Sequence, residues 1–299
     1  MAAPSAAPQA EVDITPAVVR ALVDAQFPEA RELELGERYE GWDCTTWRLG
    51  ADWAVRLPRT QRAADMQITE FAWLPRICGQ WPFRAPVAVR IGQPQEPFPW
   101  RWAIVPWIHG FTHFDQPLND WGAHDLGTAL RALHRPAPPE APRNPFRSTT
   151  LRHRAAKAEK RLAKLVDVGK AIGRPLDARA AWRIFERGAA AERGEVTWTH
   201  MDLHGGNVLT LDGRLAGIVD WIDAGAGDPA MDVGQALALL PTHLWDAFIH
   251  GYGGVDAAAF TRARAEALNY ALILANVAEP RFAGSGWRAL DALGLIRAS

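Results

Sequence analysis

The chain has 299 residues, of which 48% are hydrophobic, and its formal net charge is −1 at pH 7. This length accommodates one large domain or two lobes, and the apolar content is enough for a substantial core. The nearly balanced charge gives no reason to expect a nucleic acid or an anionic membrane as a partner.

Only two cysteines occur, Cys44 and Cys78, so we expect no disulfide framework and a reducing, cytoplasmic location. The first ten residues have neither the basic region nor the long apolar region of a signal peptide, and we expect residues 1–12 to form a flexible tail. The most apolar run, residues 267–278, is interrupted by polar side chains and predicts a buried helix rather than a membrane span. We expect the protein to be a monomer.

The first third of the chain predicts an antiparallel sheet with two helices. Thr15 and Pro16 are typical of a helix start, and this helix should run to about Gln26. Residues 64–74 have apolar side chains at helical spacing, and Pro75 should end or kink that helix. Five short segments have the pattern of strands: residues 33–38, 47–49, 51–57, 82–89 and 102–107.

The following segment predicts mainly helices. A stripe of leucines runs along residues 118–135, a proline-rich link over residues 136–145 breaks the chain, and residues 148–193 predict charged helices. Between residues 147 and 174 basic residues greatly outnumber acidic ones, which is typical of a solvated helical face or of a basic arm beside a binding site. Three further helices are predicted near the end of the chain: residues 233–240, 242–252 and 256–278.

Residues 199–232 contain the most informative pattern of polar side chains. Two apolar runs, residues 208–211 and 215–219, flank Asp212 and Gly213, a pair that favours a tight hairpin turn. Such a hairpin would bring three oxygen-bearing side chains to the same end of one ribbon: Asp202, Asn207 and Asp220.

Two carboxylates and an amide oxygen suit a hard cation such as Mg²⁺. Alternatively, one Asp accepts the proton of an attacking hydroxyl while the Asn and the other Asp hold the metal. The spacing from His200 through Asp202 to Asn207 equals that of the protein-kinase catalytic loop. A different interpretation takes His200, Asp202 and His204 as the zinc ligands of a hydrolase, although no clear third cluster closes such a site.

Three motifs follow one another in this region: HMDLHGGNVL at residues 200–209, GIVDW at residues 217–221 and GDPAMD at residues 227–232. Together they resemble the catalytic signature of the aminoglycoside phosphotransferases and related antibiotic and small-molecule kinases. The resemblance implies an α+β, two-lobed, protein-kinase-like fold.

The implied lobes divide the chain after residue 106. A small, antiparallel nucleotide-binding lobe with a helix would comprise residues 13–106. A larger, mainly helical lobe for catalysis and substrate binding would comprise residues 107–299. Within the larger lobe we expect three parts: helices over residues 118–193, catalytic loops over residues 199–232 and C-terminal helices over residues 233–299.

The resemblance also implies the roles of the polar residues in the three motifs. Asp202 would orient and deprotonate an acceptor hydroxyl, Asn207 and Asp220 would hold Mg²⁺, and His200 would brace the loop. In GDPAMD, we expect the two acidic residues, Asp228 and Asp232, to cap a helix and to brace the same loop.

For the nucleotide, ATP or GTP, the resemblance implies a phosphate flap and a hinge. Only one glycine of a glycine-rich loop is present, Gly41, and the hydroxyls of Thr45 and Thr46 are candidate donors to phosphate. Backbone groups at Val105 and Trp107 fall where the hinge of a two-lobed kinase meets the base.

Arg56 stands where the family has a phosphate-binding lysine in the third strand. Arginine binds phosphate bidentately but is not interchangeable with lysine, so this departure also favours a nucleotide-binding pseudokinase as an alternative. The resemblance implies that Glu70 pairs with Arg56. We expect Arg59 and Arg62, which follow closely, to be solvated charges.

The acceptor is the least defined part of the prediction. From residue 200 to 232 there are six Asp and one Arg, which suits a polycation and makes an aminoglycoside the first choice, whereas the basic segment counts against one. A macrolide is second, because fourteen Trp can furnish an apolar pocket, and a metabolic alcohol is third. Met201, where the family has glycine, places a bulky side chain beside Asp202, and we expect it to restrict the acceptor. The candidate acceptor-binding residues are His204, Asp223, Tyr270, Asn276 and Glu279.

Overall fold

The computed structural model describes residues 8–79 and 81–297. These form two compact units. The first consists of the chain before residue 81 with residues 84–109 and 218–222, and the second contains the rest. Within the described ranges, none of the helices combines the length and the apolar composition needed to cross a membrane.

The first unit contains a five-stranded antiparallel sheet in the order β1-β2-β3-β5-β4. Its strands are β1 Leu35–Glu40, β2 Cys44–Leu49, β3 Trp53–Pro58, β4 Arg90–Gly92 and β5 Trp102–Pro106. Helix α1 spans Pro16–Gln26 and begins as predicted, because the hydroxyl of Thr15 accepts a hydrogen bond from the N–H of Val18. A 3-10 helix, Pro28–Ala30, and helix α2, Gln61–Ile77, complete the unit.

The two faces of this sheet differ in the size of their side chains. One face packs Val55 and Leu57 into the main core with Leu22 of α1 and Trp102. The other face carries a small cluster that includes Ala54. Because side chains alternate along a strand, Arg56 emerges on the same face as Ala54.

One local prediction for the first unit is wrong and another is wrong in the end point of a helix, and both involve proline. Residues 82–89 form no strand, and β4 begins only at Arg90, because Pro82 and Pro86 have no N–H to donate to a ladder. Helix α2 continues through Pro75 and ends at Ile77. The proline lies in the last turn, where only one intrahelical bond is lost, and the N–H of Cys78 still bonds to the carbonyl of Leu74.

The second unit is mainly helical. Its helices are α3 Asp120–Leu133, α4 Leu151–Ala171, α5 Ala178–Ala190, α6 Ala230–Leu239, α7 Trp245–Tyr252, α8 Ala257–Leu274 and α9 Pro280–Ala292. Helix α8 is largely buried and packs against α4, α5, α6 and α9. Close approach of α6 and α8 requires glycine at Gly234, since an added Cβ would lie 2.4 Å from the carbonyl oxygen of Ala263.

Short strands in the second unit support the loops that carry the sequence motifs. They are β6 Phe111–Thr112, β7 Thr197–Thr199, β8 Val208–Leu211, β9 Arg214–Ile218 and β10 Gly225–Gly227. They form one sheet in the order β6-β8-β9 and a pair β10-β7. The predicted hairpin joins β8 to β9, with Asp212 and Gly213 at φ values of 51° and 75°, as a tight turn of this residue type requires.

Candidate active site

The loop of residues 200–207, between β7 and β8, is held by one buried carboxylate. Asp232, in the first turn of α6, accepts hydrogen bonds from the N–H of His200 and from the N–H of Met201, both at 2.7 Å. The ring of His134 lies 3.1 Å from the same carboxylate. These partners compensate the burial of the Asp232 charge. The side chain of His200 is fully buried, and its Nδ1 accepts the N–H of Asp202 at 3.3 Å.

Met201 adopts a left-handed backbone conformation, with φ of 70°, which is unfavourable for a residue with a side chain. Its carbonyl oxygen accepts hydrogen bonds from Arg147 Nη1 and from Gln235 Nε2, each at 2.7 Å. The side chain is fully buried, so it presents no surface to an acceptor. The expectation that Met201 restricts the acceptor directly is therefore corrected.

Asp202 is surrounded by three polar side chains of the same unit. Its Oδ1 lies 2.9 Å from Arg147 Nη1 and accepts a hydrogen bond from the hydroxyl of Tyr270 at 3.0 Å. Nε2 of His204 lies 3.8 Å from its Oδ2. Burial raises the pKa of Asp202, but Arg147 and the neighbouring histidines lower it more, so the pKa falls below its ordinary value. The carboxylate is therefore ionised at neutral pH.

Arg147 also binds a second carboxylate. Its Nε lies 3.0 Å from Asp223 Oδ2, and Asp223 Oδ1 accepts a hydrogen bond from Asn144 Nδ2 at 2.6 Å. Asn144 in turn accepts the N–H groups of Phe146 and Arg147, which fixes the turn before α4. Neither Asn144 nor Arg147 is part of the predicted site. The available signals were Asn144-Pro145, a turn dipeptide, and the start of the basic segment.

Asn207 is buried, and its Nδ2 donates a hydrogen bond to the carbonyl oxygen of Asp202 at 2.9 Å. That contact uses the nitrogen of the amide and makes Oδ1 the candidate atom for the predicted metal contact. His204 stacks on Phe114, with ring centroids 6.2 Å apart, and meets Phe282 edge-on at 4.8 Å. Burial lowers the pKa of His204, so its imidazole is neutral at neutral pH.

Of the three other candidate acceptor residues, only Tyr270 contacts Asp202, through its hydroxyl. The other two make contacts at helix ends. Asn276 donates from Nδ2 to the carbonyl oxygen of Leu272 at 2.9 Å, near the end of α8. Glu279 accepts the N–H of Phe282 at 3.0 Å and caps α9. These contacts give Asn276 and Glu279 structural roles.

In the first unit, the predicted ion pair between Arg56 and Glu70 is formed. Arg56 Nη1 lies 2.5 Å from Glu70 Oε1, and both residues are buried. Burial raises the pKa of Glu70, and Arg56 lowers it in part. A contact that the sequence did not indicate joins Arg56 Nη2 to Asp220 Oδ1 at 2.8 Å. Asp220 itself has a left-handed φ of 63°.

The hydroxyls of Thr45 and Thr46 project from opposite faces of the sheet. Thr46 pairs with Arg56 across the strands, whereas Thr45 pairs with Leu57, and directly opposite residues share a face. Thr46 is therefore the one on the same face as Arg56. Thr45 is buried among the residues of the opposite face, which corrects its assignment as a phosphate donor.

Arg59 holds the turn of the flap hairpin, which is the hairpin of β1 and β2 and the predicted phosphate flap. The N–H of Gly41 donates to the carbonyl oxygen of Cys44 at 2.9 Å and closes the turn. Arg59 Nη1 donates to the carbonyl oxygens of Gly41 and Trp42 at 2.8 and 3.3 Å, and its Nη2 lies 2.7 Å from Glu40. Arg59 is 5% exposed, so the expectation of a solvated charge is wrong.

At the predicted hinge, the two assigned residues differ in what they offer. Val105 is buried in β5 and pairs with Ala54 of β3. The N–H of Trp107 donates to the carbonyl oxygen of Asp52 at 2.7 Å, so that donor is already used within the unit. The ring of Trp107 lies 5.5 Å from that of Tyr39.

The zinc interpretation gains no support from the geometry. Over the described ranges, no group of three or more His, Cys, Asp or Glu side chains is arranged to hold a metal ion. His200 and His204 instead make hydrogen bonds and ring contacts inside the second unit.

Solved phosphotransferases share this fold at low sequence identity. The GDP complex of wild-type aminoglycoside 2'-phosphotransferase-IIIa is 18% identical, with a TM-score of 0.65 over 93% of this chain and 98% of that chain. For ADP-bound APH(2'')-Ib the values are 16%, 0.61, 93% and 98%. For macrolide 2'-phosphotransferase MphH from Brachybacterium faecium they are 19%, 0.56, 91% and 98%. The chain therefore has a protein-kinase-like α+β fold.

The sequence comparison identifies the family. The model of the phosphotransferase enzyme family, APH, matches residues 34–268, which is most of the chain, and the chain belongs to that family. No curated protein matches it significantly. The resemblance of the three motifs to the aminoglycoside phosphotransferases is thus confirmed at the level of the family.

Proposed function

We propose that this protein transfers the γ-phosphoryl group of ATP or GTP to a hydroxyl group of a small molecule. The observation that carries the proposal is the state of Asp202. It is an ionised carboxylate, its side chain is 20% exposed, and it stands on a loop whose backbone is fixed by Asp232. Such a group can accept the hydrogen bond of an acceptor hydroxyl and take its proton.

Family membership and the local contacts support the remaining roles. Arg56, supported by Glu70, is proposed to bind nucleotide phosphates, and Asn207 and Asp220 are proposed to hold Mg²⁺. An amide oxygen and a carboxylate are the hard oxygen donors that Mg²⁺ prefers. When bound, the metal would neutralise charge on the phosphates.

Phosphoryl transfer requires little covalent chemistry from the protein itself. Positioning of the reactants and electrostatic stabilisation therefore account for most of the catalysis. In this chain, Tyr270 and Arg147 fix the carboxylate of Asp202, and Asn207 holds its backbone carbonyl. The low pKa of Asp202 makes it a weak base but keeps it charged and able to orient the hydroxyl.

The resemblance makes an antibiotic the first acceptor class to test, with resistance as the physiological role. Aminoglycosides come first, macrolides second and metabolic alcohols third. The low cysteine content supports the further proposal of a cytoplasmic location, and we also propose that the protein is a monomer.

The test is nucleotide turnover by the purified protein with Mg²⁺ and either ATP or GTP, against aminoglycosides, macrolides and small metabolic alcohols. Asp202→Ala should reduce acceptor-dependent turnover by about 10²–10⁴-fold, the usual scale for a general base. Asp246→Ala, at an exposed position of α7, is the control and should retain turnover.

Near-unchanged turnover in Asp202→Ala would contradict the role of Asp202. Tight binding of Mg²⁺-nucleotide without turnover on any acceptor or on water would instead favour a pseudokinase, in which the contact of Arg56 with Asp220 holds an inactive arrangement.

A further inference from the structure

Four acidic residues of the 199–232 segment have side-chain partners within the second unit. Within the second unit, Arg147 binds both Asp202 and Asp223. Arg262 binds Asp228, with Nε 2.9 Å from Oδ2. Asp232 is occupied by two backbone N–H groups and His134. The excess of Asp over Arg in the linear sequence therefore overstates the acidity of this segment, because arginines from outside it, Arg147 and Arg262, pair with three of the carboxylates.

The same pairing extends to helix α8, which carries Tyr270. One turn before Tyr270, Glu266 is buried and forms an ion pair with Arg154 of α4. Also on α4, Arg161 is partly buried, and burial together with the charge of Arg154 lowers its pKa. Two arginines of α4 thus lie near this part of α8, and the carboxylate of Glu266 is already paired with one of them.

Arg147 is the cation closest to the reacting position. It lies between Asp202 and Asp223, its guanidinium also donates to the carbonyl oxygen of Met201, and its side chain is 29% exposed. An ammonium group approaching Asp202 would meet this guanidinium as a like charge and would compete with it for the same carboxylate oxygens. A neutral hydroxyl meets neither obstacle, and an anionic group gains from Arg147.

We infer that this site takes an uncharged or anionic alcohol, and that Arg147 is the residue that excludes polycationic acceptors. The inference rests on the proposed phosphoryl transfer, but it reverses the order of acceptors that the family resemblance gives, because it ranks the aminoglycosides below neutral and acidic alcohols.

The first test measures binding of kanamycin, as a polycationic probe, to the Mg²⁺–ADP complex by isothermal titration calorimetry. The wild-type protein should show no saturable binding at micromolar concentrations. Arg147→Gln, which exposes the charges of Asp202 and Asp223, should bind kanamycin about tenfold or more tightly than the wild type, the scale of one charge contact. Arg147→Lys should retain the exclusion, since it keeps the charge.

Arg152→Gln is the control, because Arg152 lies a short way further along the chain in the first turn of α4, is exposed and donates to the carbonyl oxygen of Ala189. It should behave like the wild type. Circular dichroism and thermal unfolding establish whether each variant is folded. If Arg147→Gln is not folded, Arg147→Lys tests the inference instead. Micromolar binding of kanamycin to the wild type, weakened by Asp223→Asn, would overturn the inference.

A second measurement compares kcat/KM for kanamycin, glucose and gluconate, which present cationic, neutral and anionic alcohols. The ratio should favour glucose or gluconate over kanamycin by about tenfold or more. Hydrolysis of the nucleotide with water as acceptor, measured in parallel, separates the two ideas. If the protein hydrolyses the nucleotide and prefers kanamycin as acceptor, the inference alone is refuted. If it neither binds nor turns over the nucleotide, with water or with any acceptor, the proposed function is refuted.

Discussion

A single residue, Met201, illustrates how the site accommodates an unfavourable backbone conformation. Left-handed φ angles at non-glycine residues cost about 1–2 kcal/mol, and they persist only where surrounding contacts enforce them. Here the N–H is bound by Asp232, the carbonyl oxygen by Arg147 and Gln235, and the side chain is enclosed. This conformation sets the direction of the backbone immediately before Asp202.

Asp232 should therefore be critical for both stability and turnover. Asp232→Asn removes the charge that accepts two backbone N–H groups and places an amide NH₂ near one of them. We expect a loss of about 3 kcal/mol in the free energy of unfolding, since a hydrogen bond to a charged group contributes about 1.5–3 kcal/mol. Urea denaturation measures this loss.

The control for that experiment is Asp246→Asn, an isosteric change at an exposed position in the first turn of α7. It should change the unfolding free energy by less than about 0.5 kcal/mol. Equal stability of the Asp232→Asn and wild-type proteins would contradict the role assigned to the carboxylate.

The residues of the site differed in how far the sequence could predict them. The HMDLHGGNVL motif indicated Asp202 and Asn207 because their spacing is local and chemically specific. Arg147 could not be predicted in the same way, since its contact with Asp202 joins segments that are far apart in the chain. A formal charge count along the sequence misleads for the same reason, because it omits partners supplied by other elements.

At the scale of elements, the flap hairpin between β1 and β2 is shaped by Arg59 at the end of β3. Arg59→Ala removes two hydrogen bonds to the carbonyl oxygens of the turn and the ion pair with Glu40. If the turn covers nucleotide phosphates as proposed, KM for the nucleotide should rise by about tenfold, equivalent to about 1.4 kcal/mol. Steady-state kinetics with varied ATP or GTP gives this value.

Arg38→Ala is a matched control, because Arg38 is exposed and also pairs with Glu40 but makes none of the turn contacts. It should leave KM within about twofold of the wild type, as expected for an exposed ion pair. A similar rise in both variants would trace the effect to Glu40 instead of the turn.

Hairpins and capped helices were the elements that the sequence predicted best. Alternation along β2 and β3 and the Asp212-Gly213 turn depend on neighbouring residues, so linear patterns contain the needed information. Residues 82–89 have the apolar composition of a strand, but their two prolines have no N–H to donate to a ladder, and β4 begins only at Arg90. The face of Thr45 depended on strand register, which the sequence indicates only weakly.

At the scale of the whole molecule, a buried histidine makes stability sensitive to acid. His113 is 8% exposed, and its Nδ1 accepts the N–H of Leu118 at 3.2 Å, so the fold holds it neutral. Burial, with a smaller effect of Arg288, lowers its pKa from 6.5 to about 4. The unfolded chain then binds more protons than the folded one between these two values, and stability falls as the pH falls from 6.5 towards 4.

Between pH 7 and pH 5 we expect His113 to account for about 2 kcal/mol of lost stability. Urea denaturation at the two pH values measures the loss, and His113→Asn, which cannot titrate, should reduce it. His243→Asn, at an exposed position, should leave the pH dependence unchanged. An identical pH dependence in the His113→Asn and wild-type proteins would contradict the assignment.

Residues 218–222 belong to the first unit although they follow more than a hundred residues of the second. This arrangement affects the order in which the first unit can fold during synthesis. Ile222 packs with Cys44 and Ala63, and Asp220 binds Arg56, so the interior of the first unit is incomplete until these residues are present. During synthesis, all residues of the main core of the first unit have been made before residue 109, but the small cluster around Cys44 and Ala63 must wait for residue 222. In the gene, the codons of residues 110–217 separate residues 218–222 from the rest of the first unit, so no uninterrupted stretch of coding sequence encodes this unit alone.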